Sequence, residues 1–211
     1  MAILLDGRAA SSSIMEDLKA QAIELRKRGI IPTLSLLLVG DDKYSGRYVD
    51  MKAKRCGEAG IETRVHHLSV ETTQSQILSL IEQLNRDPSI HGIMVQLPLP
   101  KGINELTIVE AISPSKDVDG LSPMSLGKVL MGGGGFLSAG VEAIMELLHW
   151  HGISLERKHW VIVGLSNIVG KPLAALLMNM DVTFTCCNAD DPRLAENTRR
   201  ADILVVDIGR K

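Results

Sequence analysis

Short apolar runs alternate with longer amphipathic stretches along this chain. Residues 34–39 are almost wholly apolar and close on Gly40, which reads as a buried strand ending in a turn. Before that run, residues 11–27 place Ile14, Leu18, Ile23 and Leu25 at roughly helical spacing. Ser12 or Ser13 is suited to cap this helix, Glu16 falls in its first turn, and Gly29 stops it. A second helix is expected over residues 45–59, stopped by Gly60, followed by a strand over 63–68. Residues 73–85 form a third helix with Ile77, Leu80, Ile81 and Leu84 on one face. The next strand, 90–96, ends before Pro98 and Pro100, which cannot continue a ladder. Further on, helices are expected over 141–150 and 170–180, and strands over 160–163, 181–186 and 201–206. Pro172 suits the first turn of its helix, where no N–H is needed. Alternating strands and helices predict an α/β fold of parallel βαβ units.

The pattern is interrupted at Gly132-Gly133-Gly134-Gly135, which reads as a flexible connector. It sets the expected boundary: residues 1–137 as an N-terminal α/β domain and 138–211 as a Rossmann-type parallel-sheet domain. Composition narrows the functional classes. Lys plus Arg number 23 against 25 Asp plus Glu, so a net charge of −2 offers no electrostatic case for nucleic acid or an anionic membrane. Aromatic residues make up only 3%, which also argues against a base-stacking surface. No apolar run is long enough to span a bilayer. The first residues reach Asp6 too soon for a secretory signal. Cys56, Cys186 and Cys187 are an odd, sparse set without C-x-x-C spacing, which fits a reducing cytoplasm better than a disulfide or zinc scaffold. The six histidines give no metal-ligand spacing, and no metal is expected.

Candidate chemistry lies in two places. Gly164-Leu165-Ser166-Asn167-Ile168-Val169-Gly170 joins a buried strand to a helix, where a Rossmann unit seats a dinucleotide pyrophosphate on free N–H groups. Gly164 would permit the tight turn and Gly170 a close helix approach. The spacing is not G-x-G-x-x-G, so the pattern alone is a weak signal, with a plain helix-start turn as the lesser alternative. The following strand runs out at Cys186-Cys187-Asn188, with Asp190 and Asp191 beyond and nothing basic for a ribose 2′-phosphate. In the first half, Tyr48 and Lys52 share a helix face, four residues apart. Gln96 ends a buried strand at the edge where open α/β sheets bind ligands. Lys116-Asp117-Val118-Asp119-Gly120 is a polar loop that would pass alone for an Asx-rich turn.

Taken in order, these segments are specific. Tyr48-Val49-Asp50-Met51-Lys52, Gly92-Ile93-Met94-Val95-Gln96-Leu97-Pro98-Leu99-Pro100, Lys116-Asp117-Val118-Asp119-Gly120 and the turn running on to Lys171-Pro172 resemble the methylenetetrahydrofolate dehydrogenase/cyclohydrolase family. The resemblance extends from about Leu4 to the last residue. It implies oxidation of 5,10-methylenetetrahydrofolate with NADP, or NAD in some members, then hydrolysis to 10-formyltetrahydrofolate, a step of one-carbon metabolism. It further implies a folate cleft between the two domains, a cytoplasmic enzyme and a homodimer. Carried onto these positions, Lys52 becomes the catalytic lysine, Tyr48 a stacking partner for the folate rings, Gln96 the group that hydrogen-bonds the lysine, and Asp119 the pterin-binding acid. Ser45 would line the same cleft. The cofactor would be held by Gly164, Leu165, Ser166, Asn167, Ile168, Gly170 and Asn188.

Three departures from the family pattern qualify these expectations. Phe136-Leu137 runs directly into Ser138-Ala139, where members carry a Pro-Cys-Thr-Pro segment. The chain stops at Lys211, where members continue with further Rossmann strands, so the cofactor domain is expected to be incomplete. Leu165 stands where many members have Arg, and Asn188 where Ser or Arg often meets the 2′-phosphate. Two other readings stand beside the family one: a generic Rossmann oxidoreductase of the shikimate-dehydrogenase kind, and a folate-binding protein without complete catalysis.

Overall fold

Parallel pairing of three apolar strands organises each half of the chain in the computed structural model, which describes residues 4–209. The first unit is Gly7–Ser122. It runs α1 (Gly7–Lys27), β1 (Thr33–Val39), α2 (Lys43–Glu58), β2 (Glu62–Leu68), α3 (Gln74–Arg86), β3 (Gly92–Val95) and α4 (Glu105–Glu110). The strand order is β2-β1-β3, all parallel, with Leu36 level with Val65 on one side and Met94 on the other.

Strand alternation divides the core of this unit. Leu37 and Val39 of β1, with Ile93 and Val95 of β3, bury against Ile77, Ile81 and Leu84 of α3. Leu36 and Leu38 point the other way and pack on Val49 of α2, joined by Met94 and Ala53. Helices therefore cover both faces, as apolar parallel strands require. Helix ends follow their sequence signals. Asp42 accepts from the Ser45 amide at 2.7 Å at the start of α2, and Thr73 and Gln76 form a capping box at the start of α3. The apolar positions of α1 behave differently from a simple core stripe. Ile14, Leu18 and Ile23 are substantially exposed, whereas Ala10 and Ala22 are buried. A Cβ at Gly60 would stand 3.1 Å from that of Ala22, so α1 approaches the end of α2 through small residues.

The second unit comprises residues 123–209 with residues 4–6. Its elements are α5 (Pro123–Leu130), α6 (Ala139–Trp150), β4 (His159–Val163), α7 (Gly170–Leu177), β5 (Thr183–Cys187), α8 (Leu194–Arg199) and β6 (Ile203–Val206). The parallel order is β5-β4-β6. Trp160 and Ile162 bury with Val141 and Leu148 of α6 and Leu173 and Leu177 of α7; Val161 and Val163 bury on the other face with Cys187. Among the described residues no helix is long and apolar enough to cross a membrane.

The units divide ahead of α5, not at the 137/138 boundary expected from the glycine run. The reason is local. Asn179, just past α7, donates to the carbonyls of Val129 and Leu130 at 2.9 and 3.2 Å, tying the end of α5 to the second unit. The glycine run is itself a helix stop: Gly132 N–H bonds Val129 O and Gly133 N–H bonds Lys128 O, the paired bonds of a Schellman cap, with Gly132 at φ 67°.

Candidate active site

Parity along β3 builds the first cluster. Met94 faces α2, and Gln96, two residues on, lies on the same face. The Gln96 backbone N–H donates to Leu37 O at 2.8 Å, so its extended path outlasts the strand by one residue. Lys52 comes down from α2, one turn past buried Val49. Its Nζ donates to Gln96 Oε1 at 3.0 Å and lies 3.4 Å from Met94 Sδ. The other end of the amide is fixed too, since Gln96 Nε2 donates to Leu97 O at 2.7 Å. The amide oxygen is thereby aimed at the lysine and cannot exchange places with the nitrogen without losing both bonds. Tyr48, one turn before Lys52, is 54% exposed.

The loop 116–120 supplies the acid. Lys116 donates to Leu84 O and Asp87 O at 2.8 and 2.7 Å, capping the end of α3, so this lysine is spent on structure. Ile93 N–H bonds Lys116 O at 2.8 Å, laying the loop along β3. Gly92 makes that approach possible, because a Cβ there would stand 2.8 Å from Val118 Cγ1. The two aspartates then separate in role. Asp117 is only 1% exposed and accepts from the Ser122 amide at 3.0 Å, holding the loop's own turn. Asp119 is half-buried and feels the charge of Lys52. Burial pushes the Asp119 carboxyl above the ordinary carboxylate value; the Lys52 ammonium pulls it back, and Asp117 adds to the rise.

A raised carboxyl has a definite consequence for stability. The folded chain holds this proton more tightly than the unfolded chain, so stability is lost as pH rises from the unfolded value through the higher folded one. Asp119→Asn removes that loss. Its urea midpoint at about pH 7 is expected to exceed the wild type's, with the gap closing toward about pH 4. Equal midpoints at neutral pH would contradict the assignment of a buried, ionised Asp119.

The second cluster lies where three parallel strands of the other unit end. Gly164 follows β4, Asn188 follows β5 and Asp207 follows β6. Together with Leu165, Ser166, Cys186, Asp190 and Asp191 they line a cavity of about 790 Å³. The two glycines are required by contact. Gly164 has φ 95°, and a Cβ on it would strike Asp207 O; one on Gly170 would strike Gly164 O and stand 2.7 Å from Leu165 Cα. Cavity size and the bare backbone of the turn fit a dinucleotide.

Of the residues expected at this site, Gly164, Leu165, Ser166 and Asn188 line the cavity. Gly170 is buried at the start of α7, where it serves packing. Ile168 is about half exposed, and Asn167 accepts from Lys171 Nζ at 2.7 Å. Sequence reasoning missed Asp207. Its position just past an apolar strand, at the same carboxyl edge as Gly164, is the signal that marks it. Among the described residues no group of three metal-ligating side chains comes together. Cys56, Cys186 and Cys187 are free thiols, and Ser45, in the first turn of α2, is buried.

Comparison with known proteins identifies the family. Residues 5–119 match the tetrahydrofolate dehydrogenase/cyclohydrolase catalytic domain, and residues 138–211 match the NAD(P)-binding domain of the same family. The bifunctional protein FolD of Wolinella succinogenes is 48% identical over 98% of this chain and 73% of its own length. That of Halalkalibacterium halodurans is 43% identical over 99% of this chain and 75% of its own. Among solved structures, the Campylobacter jejuni bifunctional enzyme FolD superposes with a TM-score of 0.96 at 45% identity, covering 98% of this chain and 74% of that one. The Trypanosoma brucei FolD, complexed with NADP and an inhibitor, gives 0.92 at 32% identity, covering 99% and 72%. The chain thus spans about three quarters of the length of these relatives. It belongs to the tetrahydrofolate dehydrogenase/cyclohydrolase family.

Proposed function

We infer that this chain oxidises 5,10-methylenetetrahydrofolate to 5,10-methenyltetrahydrofolate with NADP and hydrolyses that product to 10-formyltetrahydrofolate. Family membership carries the reaction pair. The observation that supports its location is the Lys52 Nζ to Gln96 Oε1 bond, with Asp119 close enough to feel the lysine's charge. The shikimate-dehydrogenase-type reading gives way to the family assignment.

In the hydrolysis, water adds to the cationic methenyl carbon, the bond from that carbon to N5 breaks, and the formyl group stays on N10 with net release of one proton. Lys52 is the group that handles this proton traffic, held in place by Gln96. A neutral amide orients the lysine without the charge a carboxylate would bring. Asp119 accepts from the amino-pyrimidine N–H groups of the pterin, and Tyr48 lays its ring on the folate. Gly164, Leu165, Ser166 and Asn188 would hold the dinucleotide, which when bound would supply a hydride acceptor for the oxidation. Among the described residues no Lys, Arg or His lines that cavity, which leaves NAD as an alternative.

The same reading places the chain in the cytoplasm as a homodimer. Free thiols suit a reducing compartment. Turnover tests the activity: supplied with methylenetetrahydrofolate and NADP, the chain forms reduced cofactor. Folate binding without any reduced cofactor would leave it a binding protein only.

A further inference from the structure

The carboxyl ends of β4, β5 and β6 meet at one cavity, and three acids line it: Asp190, Asp191 and Asp207. Asp207 is placed unlike the other two. Its Oδ2 accepts from the Ser166 amide at 3.1 Å and from the Gly170 amide at 3.0 Å. Ser166 Oγ accepts in turn from the amides of Ile168 and Val169, at 3.2 and 3.1 Å. Four N–H groups of the turn are thus already bonded to the chain's own oxygens. Gly170 opens α7, and amides at a helix entry, backed by the helix dipole, favour a negative charge. The carboxylate occupies a position of the kind a phosphate takes in dinucleotide sites.

We propose that Asp207 is a specificity-determining residue of the cofactor site, an internal anion that holds the turn 164–170 in shape and opposes entry of a pyrophosphate. This rests on reading the turn as the dinucleotide site. Pyrophosphate seeks amide donors that Asp207 already uses, and any phosphate near Ser166 meets a carboxylate in the same cavity, where no Lys, Arg or His lines it among the described residues. The carboxylate has a second effect. It bonds both ends of the turn, at Ser166 and Gly170, and so keeps the turn formed without ligand.

Asp207→Asn keeps an acceptor oxygen and removes the charge; Asp207→Ala removes both. The test is titration calorimetry on the full chain with NADP, ADP and adenosine, with thermal melts of the ligand-free proteins alongside. Asp207→Asn is expected to bind NADP and ADP about tenfold more tightly than wild type, with adenosine unchanged because it carries no phosphate. Without ligand, Asp207→Ala is expected to melt below Asp207→Asn. Equal or weaker NADP binding by Asp207→Asn overturns the proposal while wild-type binding still supports the cofactor site. Tighter adenosine binding also overturns it, since the effect would then not be phosphate repulsion. If neither wild type nor variant binds NADP or ADP, the cofactor reading itself fails, and this proposal with it.

Discussion

Lys52→Met is expected to slow hydrolysis of 5,10-methenyltetrahydrofolate by roughly 10²–10⁴-fold, the range spanned when a positioned acid–base group is lost. Folate binding should change by no more than a few-fold. The substitution suits its surroundings. Residue 52 extends from α2 toward Met94, so an unbranched thioether fits the space. The cost is the lost donor to Gln96 Oε1, and Gln96 is only half-buried, so water can take that bond. The fold should therefore survive, and a collapse of kcat with KM little changed is the signature of a group acting in the transition state. Gln96→Ala should give a milder version, since Lys52 then remains but is no longer aimed. Hydrolysis by Lys52→Met at the wild-type rate would remove this cluster from the mechanism.

Gly170→Ala is expected to have the largest effect on the other unit. The added Cβ would meet the Gly164 carbonyl and stand 2.7 Å from Leu165 Cα. Both are backbone atoms and cannot rotate aside as a flexible side chain would. Forcing the helix away costs roughly 1–3 kcal/mol by overpacking. It also shifts the amide that bonds Asp207 and opens the turn at the cofactor cavity. A lower melting temperature and at least about tenfold weaker NADP binding are expected together. Gly57→Ala is the control: it sits in α2 with nothing within 4 Å of its ideal Cβ, so it should tolerate the methyl group. Unchanged NADP binding by Gly170→Ala would show that this turn does not form the cofactor site.

Much of this arrangement was legible in the amino-acid pattern because the strands are buried on both faces. Apolar runs such as 34–39 and 160–163 leave little choice of structure, and the glycines after helices mark their ends. The end of its apolar strand placed Gln96 at the carboxyl edge of the sheet, and helical spacing placed Tyr48 beside Lys52. Other features depend on contacts distant in sequence. The short helices α4, α5 and α8 have six to eight residues each, too few for a periodic signal. The attachment of α5 to the second unit runs through Asn179, some fifty residues away. Which of Asp117 and Asp119 is free for ligand follows from burial and from the amide of Ser122, not from their shared motif. The bonds of Asp207 to Ser166 and Gly170 span 41 and 37 residues and exist only once the sheet has formed.

The central claim is that one chain performs both reactions, and one assay bears on it most directly. The chain is supplied with 5,10-methylenetetrahydrofolate and NADP, and reduced cofactor and 10-formyltetrahydrofolate are quantified over time. The expected result is formation of both, with 10-formyltetrahydrofolate appearing faster than spontaneous hydrolysis of the methenyl compound allows. Absence of reduced cofactor, or methenyltetrahydrofolate accumulating and decaying only at its spontaneous rate, would contradict it.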